Sequence, residues 1–361
     1  MNALASTFDL APALVVLPGP RAAAADAARA EAIRTPDARD LFERGPVLVA
    51  HAAMTARRLG VNVPPRGPGL FDALELYAFT RPARFCAPSA VGLAQALGLA
   101  EPRTAAEQAA CLRTACQVLL ADLAEAPEPS REEALAVAET LTRAGWAWGT
   151  AVVGALRSRP AGNQFRSSGL DVWARIPEWE DQAPAGEAGS KPMAPEAAAE
   201  RLKELLHRAG LDEARPAQAE FAAETAFAFQ PREREGEPRM VLAEAGTGVG
   251  KTLGYLAPAS LWAEANGPAV WVSTYTRALQ RQIERESHAV YPDPKTRARK
   301  AVVRKGRENY LCLLNFQDMT NTAQLGGADL IGMALTARWA RSTRDGDMTG
   351  GDFPAWLPTL F

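Results

Sequence analysis

The stretch Glu244-Ala245-Gly246-Thr247-Gly248-Val249-Gly250-Lys251-Thr252 has the composition of a loop that holds phosphate. It fits Ala/Gly-x-x-x-x-Gly-Lys-Thr, with Ala245 where the strict pattern has glycine. The glycines allow successive backbone N–H groups to turn toward one point, because no Cβ stands in the way. A helix opening at Lys251 would aim its positive end at the same anion. On this pattern Lys251 reaches the β- and γ-phosphates and the Thr252 hydroxyl ligates Mg²⁺. The expected nucleotide site is therefore Ala245, Gly246, Thr247, Gly248, Val249, Gly250, Lys251 and Thr252, with ATP and Mg²⁺ as cofactors.

The flanking pattern suits such a loop. An apolar run at residues 240–243 reads as a buried strand before it, and a helix is expected from Lys251 to about Ala265. A strand at 269–273, a helix at 277–286 and a short strand at 301–303 follow. Upstream, Pro195 opens a helix ending at Gly210, whose stripe is Ala198, Leu202, Leu205, Leu206 and Ala209. A second helix covers about 216–229. Strand, loop and helix in alternation predict a parallel sheet covered by helices.

The first part also alternates. Residues 13–17 read as a buried strand, the Ala-rich residues 22–33 as a helix, 47–50 as a strand and 51–59 as a helix. Residues 88–123 are helical in composition, broken at Gly98 and Pro102. Ser130 and Glu133 have capping-box spacing for a helix reaching Gly145. Residues 146–181 show no clear period. Residues 182–195, rich in Pro, Gly, Ala and Ser, read as the main linker.

The chain has 361 residues, 47% of them hydrophobic and 23% charged, with a net charge of −2. That excludes wholesale disorder and a global positive field, so contact with nucleic acid must be local. The four cysteines, Cys86, Cys111, Cys116 and Cys312, form no disulfide-like framework. The first twenty residues lack a basic opening and are interrupted by Asp9 and Pro12, unlike a secretory signal. No run approaches the ~20 apolar residues of a membrane span. A soluble cytoplasmic protein without membrane contact is expected.

Glu244 to Leu253 resembles the first helicase motif of the DinG/XPD family of superfamily-two DNA helicases. Arg215-Pro216-Ala217-Gln218 resembles that family's adenine-reading motif, which implies that Arg215 and Gln218 bind nucleotide and that Gln218 selects ATP. Residues 273–282 are similar to its motif Ia, which implies contact of Thr274, Thr276 and Arg277 with the single-stranded DNA backbone. The run Lys295, Arg297, Arg299, Lys300, Arg304, Lys305 and Arg307, with no acid between, suits the same polyanion. Lys305 to Cys312 resembles the segment bringing the first ligand of a [4Fe–4S] cluster, which implies that Cys312 binds iron. Such a cluster needs four thiolates. Cys111 and Cys116, five apart on a helix, are rotated by about 140° and diverge. Three further ligands are expected beyond Phe361. No Asp-Glu-x-His box and no second motor domain is found, so the chain reads as the front part of a longer protein, able to bind nucleotide but not to turn it over well.

Residues 13–123 resemble a DnaQ-type exonuclease. The stretches 47–56, 71–76 (read as a strand) and 90–98 carry the likeness. The acids of two-metal chemistry do not follow. Residues 13–17 have no acid, and the second motif's Asp position falls on Ala56. Glu107 is at best a stand-in for the third motif's Asp, and Asp72 and Glu75 alone cannot hold two metals. An inactive exonuclease fold is expected, with His51 structural.

The resulting fold class is α/β. Residues 1–126 form the exonuclease-like domain, 127–195 a helical region and linker, 196–305 an incomplete RecA-like parallel-sheet motor domain, and 306–361 the start of an iron–sulfur domain. The resemblance implies an ATP-dependent 5′–3′ DNA helicase acting on single-stranded DNA in repair or replication. The residues leave open another P-loop ATPase, or a nucleotide-bound nucleic-acid-binding or scaffold protein.

Overall fold

The computed structural model describes residues 9–63, 69–128, 130–158, 168–176, 189–211, 215–234, 236–322, 327–350 and 352–360. Backbone contacts divide the chain into two units. One is Met1–Pro177 with Gly306–Phe361, and the other is Glu178–Lys305.

The first unit is built on a mixed five-stranded sheet. Along the chain run β1 (Ala13–Val16), β2 (Ala22–Ala25), β3 (Ala30–Ile33), α1 (Thr35–Arg44), β4 (Val47–Val49), α2 (Ala52–Leu59) and β5 (Leu70–Asp72). The strand order is β3-β2-β1-β4-β5. The hairpin pairs are antiparallel, whereas β1–β4 and β4–β5 are parallel. Strand period two sorts the side chains. Leu14 and Val16 pack with Ala38, Phe42, Ala52, Ala56 and Leu59 from α1 and α2. Ala13 and Val15 join the larger core on the other face.

Residues 22–33 are therefore a hairpin and not the helix expected from their alanines. Each of Ala22 to Ala25 pairs with β1, and Ala23 is wholly buried. Asp26 Oδ1 makes the turn by accepting from the N–H of Ala28 (2.7 Å) and Arg29 (2.8 Å). Alanine's helical preference is a fraction of a kcal/mol per residue, and a ladder on a buried sheet outweighs it.

Five more helices follow, α3 (Ala73–Thr80), α4 (Ala90–Leu97), α5 (Ala105–Ala124), α6 (Ser130–Arg143) and α7 (Gly149–Leu156); α5 lies against β1 to β4, α3, α4 and α7 pack on α5, and α6 packs on α7. Residues 71–76 were expected as one strand, but β5 stops at Asp72, whose Oδ1 caps α3 by accepting from Leu74 N (2.9 Å). From Ala73 to Phe79 every residue of α3 is buried, so no face alternates with water and the run shows no helical period. Ser130 is the first helical residue of α6, and Glu133 pairs with Arg175 and Arg341.

The second unit holds α8 (Pro195–Arg208), α9 (Pro216–Ala226), α10 (Lys251–Asn266), α11 (Arg277–Val290) and α12 (Pro294–Lys300). Its core joins Leu202, Leu205, Ala222, Leu253, Ala257, Ala289 and Val290. Ala209, assigned to the apolar stripe of α8, is exposed. The segments 240–243, 269–273 and 301–303 form no β-ladder, so the described residues of this unit do not build the expected parallel sheet. Met240 is 77% exposed, Leu242 94%, Trp271 81% and Val302 69%, which leaves these apolar side chains in water. Parallel strands gain hydrogen bonds only from distant neighbours, and an unpaired one has no stability of its own. Residues 182–188 of the expected linker lie outside the described residues. Its end is anchored, with Gly189 N donating to Asn266 O (3.0 Å) and Lys191 N to Asn266 Oδ1 (2.8 Å).

The closing segment carries α13 (Leu313–Thr322) and α14 (Gly327–Ala340) and packs within the first unit. The Arg338 guanidinium donates to Phe79 O (2.9 and 3.1 Å) and lies 4.7 Å over the Phe79 ring. Burial pulls its pKa down to about 10. Trp356 Nε1 donates to Cys86 O (2.8 Å).

Candidate nucleotide-binding site

The loop at 245–250 feeds directly into α10. Gly248 and Gly250 both stand at positive φ, +84° and +83°, a region other residues enter only with strain. Gly250 is the N-cap of α10, so the first orphan N–H groups of a sixteen-residue helix open onto the loop. Lys251 arches back over it, and Nζ donates to the carbonyls of Ala245 and Gly246 (both 2.8 Å). Thr252 is buried on the first turn. Burial pushes the Tyr255 phenol above its usual pKa, opposed by a hydrogen bond with Thr252. Tyr255 escaped the sequence reading, though its i+3 spacing from Thr252 put it on the same helix face. Left-handed glycines, a helix N-terminus and an ammonium group beside them fit a polyphosphate chelating Mg²⁺.

Gln218, expected to read adenine, is turned onto this loop. It is 2% exposed, and Nε2 donates to Gly250 O (2.8 Å). Its Oε1 is buried without a hydrogen-bond partner. Arg215, at the N-cap of α9, donates from Nη1 to Gly248 O (3.1 Å).

Of the residues expected on DNA, Thr276 caps α11, its hydroxyl accepting from Leu279 N (3.2 Å). Arg277 is exposed beside it and Thr274 is half-buried. Tyr275 between them is 98% exposed. In α12, Lys295, Arg299 and Lys300 are exposed, whereas Arg297 ties itself to Tyr291 O (2.9 Å).

The 3′–5′ exonuclease DinG of Bacillus subtilis is 33% identical over 147 residues, 40% of this chain and 15% of that protein. The ATP-dependent helicase DinG of Mycobacterium tuberculosis is 42% identical over 103 residues, 27% of this chain and 15% of the relative. The ATP-dependent DNA helicase YoaA of Escherichia coli is 39% identical over 121 residues, 32% and 17% of the two chains. Over these stretches the chain is similar to the DinG and YoaA proteins. It spans less than a fifth of the length of these curated proteins. No family model and no solved structure matches it.

Two features implied by the DinG likeness find no set of ligands here. Cys312 is exposed. Cys116 is fully buried, and burial raises its thiol pKa. Burial also pushes Cys86 up to about 12. No group of three His, Cys, Asp or Glu converges among the described residues. These residues do not fit a four-thiolate cluster.

The nuclease acids are likewise taken up by structure. Asp72, 1% exposed, accepts from Ala52 N (2.7 Å) through Oδ2 as well as capping α3. Glu75, 2% exposed, accepts from Trp146 Nε1 (2.8 Å). Glu107 completes a capping box on α5, accepting from Arg103 N (2.7 Å) and Thr104 N (3.2 Å). Ala56 is packed in the core. His51 caps α2, and its Nε2 lies 3.2 Å from the Thr359 hydroxyl. No helix among the described residues is long and apolar enough to cross a membrane.

Proposed function

We propose that this chain supplies the nucleotide-binding part of an ATP-dependent DNA helicase of DinG type, preceded by an exonuclease-like domain without nuclease chemistry. The observation that carries it is the pair of left-handed glycines, Gly248 and Gly250, running into the N-terminus of α10 beneath Lys251. Residues 245–252 bind the phosphates. Lys251 would hold the β- and γ-phosphate oxygens in place of its carbonyl partners, and the Thr252 hydroxyl would ligate Mg²⁺. The bound ion would neutralise phosphate charge. Arg215 and Gln218 belong to the same site.

Thr274, Thr276 and Arg277 hold the backbone of single-stranded DNA, assisted by the exposed cations of α12. Residues 196–305 belong to a RecA-like motor and 306–361 to the start of an iron–sulfur region. By the DinG likeness Cys312 would supply one thiolate of such a cluster, and the buried Cys86 and Cys116 would not. Translocation runs 5′ to 3′, in repair or replication in the cytoplasm. The first unit serves as a docking or DNA-positioning module, because Asp72, Glu75 and Glu107 are each committed to a helix start or an indole.

The test is ATP hydrolysis by the complete protein with and without single-stranded DNA, beside Lys251→Ala. DNA-stimulated turnover lost in the variant is expected. Turnover indifferent to DNA would leave a P-loop ATPase that is no helicase.

A further inference from the structure

We propose that a cavity at the C-terminal end of α3 binds a phosphate monoester of up to mononucleotide size through Arg81, Arg338 and Arg341. The cavity lies wholly within the first unit, whereas the loop at 245–252 belongs to the other.

The ends of α3, α5 and α14 and the start of α6 enclose about 490 Å³. That volume is in the range of small-molecule sites. Arg81, the C-cap of α3, lines one side. Arg338 and Arg341 line another, three residues apart and so on one face of α14, whose last turn Arg341 continues by donating from its N–H to Ala337 O (3.1 Å). Ser130 adds a hydroxyl and the positive end of the fourteen-residue α6. Asp72 stands at the other end of α3, about 12 Å along its axis, so this is not the place of the nuclease acids.

The guanidinium charge is only partly matched. Arg81 pairs with Asp122. One carboxylate, Glu133, serves both Arg341 (3.0 Å) and Arg175 (3.3 Å). Arg338 donates to the Phe79 carbonyl instead of an acid. Eight buried side-chain nitrogen or oxygen atoms lack a hydrogen-bond partner among the described residues, and three of them belong to this lining: Thr80 Oγ1, Arg81 Nε and Arg341 Nη1. Unpaired buried donors are costly, and their concentration at one cavity points to an acceptor that enters it. A carboxylate is planar and one guanidinium fork saturates it. Donors from three helices suit the three terminal oxygens of a phosphate monoester. The remaining volume leaves room for a sugar and base.

The experiment measures equilibrium binding of dAMP, inorganic phosphate and deoxyadenosine to the wild type, Arg341→Met, Ser130→Asp and Lys251→Ala. Both phosphates should bind and deoxyadenosine should not. Arg341→Met should weaken dAMP roughly ten- to a hundredfold, as expected for a charged hydrogen bond. Ser130→Asp should weaken it too, by placing a negative charge at the site where a helix start tolerates one. Lys251→Ala should leave it unchanged. Loss in Lys251→Ala with retention in Arg341→Met would assign the phosphate to the loop and overturn the proposal, as would the absence of any phosphate binding. If Arg341→Met fails to fold, Ser130→Asp decides by the same criterion. A 5′-phosphorylated oligonucleotide compared with its 5′-hydroxyl form separates the two sources of the ligand. A preference for the phosphorylated strand that Arg341→Met removes assigns a strand end, and equal binding of the two strands beside tight dAMP assigns a free mononucleotide.

Discussion

Trp146 donates its indole N–H to Glu75 Oε2 at 2.8 Å, inside the core of the first unit. A second indole, Trp148, donates to Asp72 O at 2.7 Å. Both acids that a nuclease could have used thus sit at the packed start of α3. Trp146→Phe keeps an aromatic ring there and leaves a buried carboxyl oxygen short of a donor. It should cost about 1–3 kcal/mol, read from urea unfolding. An unchanged midpoint would mean that Glu75 does not need this bond.

The same commitment predicts an absence of DNA degradation with Mg²⁺ or Mn²⁺. Asp72→Asn should lower stability and leave degradation at background. Measurable cleavage that disappears in Asp72→Asn would restore the domain as an active nuclease.

Two glycines of the phosphate loop should respond differently to alanine. Gly250→Ala forces a side chain into positive φ and onto Gln218. The left-handed strain alone is about 1–2 kcal/mol. Nucleotide binding should be lost and the unfolding midpoint of the second unit should fall. A Cβ on Gly246 meets nothing within 4 Å, so Gly246→Ala should leave the midpoint unchanged. Calorimetry of both variants with and without ATP separates the effects.

The start of α5 should be sensitive to acid. Backbone N–H groups of Arg103 and Thr104 hold the Glu107 carboxyl below its usual pKa. A depressed folded pKa gives stabilisation that is present above the unfolded carboxylate's value and lost as pH falls through the folded one. Protection of the Arg103 and Thr104 amides from hydrogen exchange should fade over that acidic range. In Glu107→Gln it should not vary with pH, and a parallel loss there would count against the capping carboxylate.

If Arg277 contacts a phosphate, Arg277→Ala should weaken single-stranded DNA binding equally across sequences. The slope of log affinity against log salt should fall by about one. A loss that depends on base sequence would place Arg277 on the bases.

Local chemistry was legible in the sequence. Gly248, Gly250, Lys251 and Thr252 act through backbone freedom and a helix start, both set by neighbours along the chain, so their spacing was enough to locate the loop. Thr276 likewise acts within three residues of itself, whereas the cap at Asp72 was missed because 71–76 was expected as one strand. Tertiary structure decided whatever depends on a distant partner. Four alanines became a strand because β1 offered them an edge. Gln218 turned to Gly250 because α9 packs on α10. Asp72, Glu75 and Glu107 could be counted as acids from the sequence, but only the fold showed their oxygens already bonded to Ala52, Trp146 and Arg103. A hydrogen bond's direction is fixed by three-dimensional position, and residue spacing carries that information only within a turn or two of the same element.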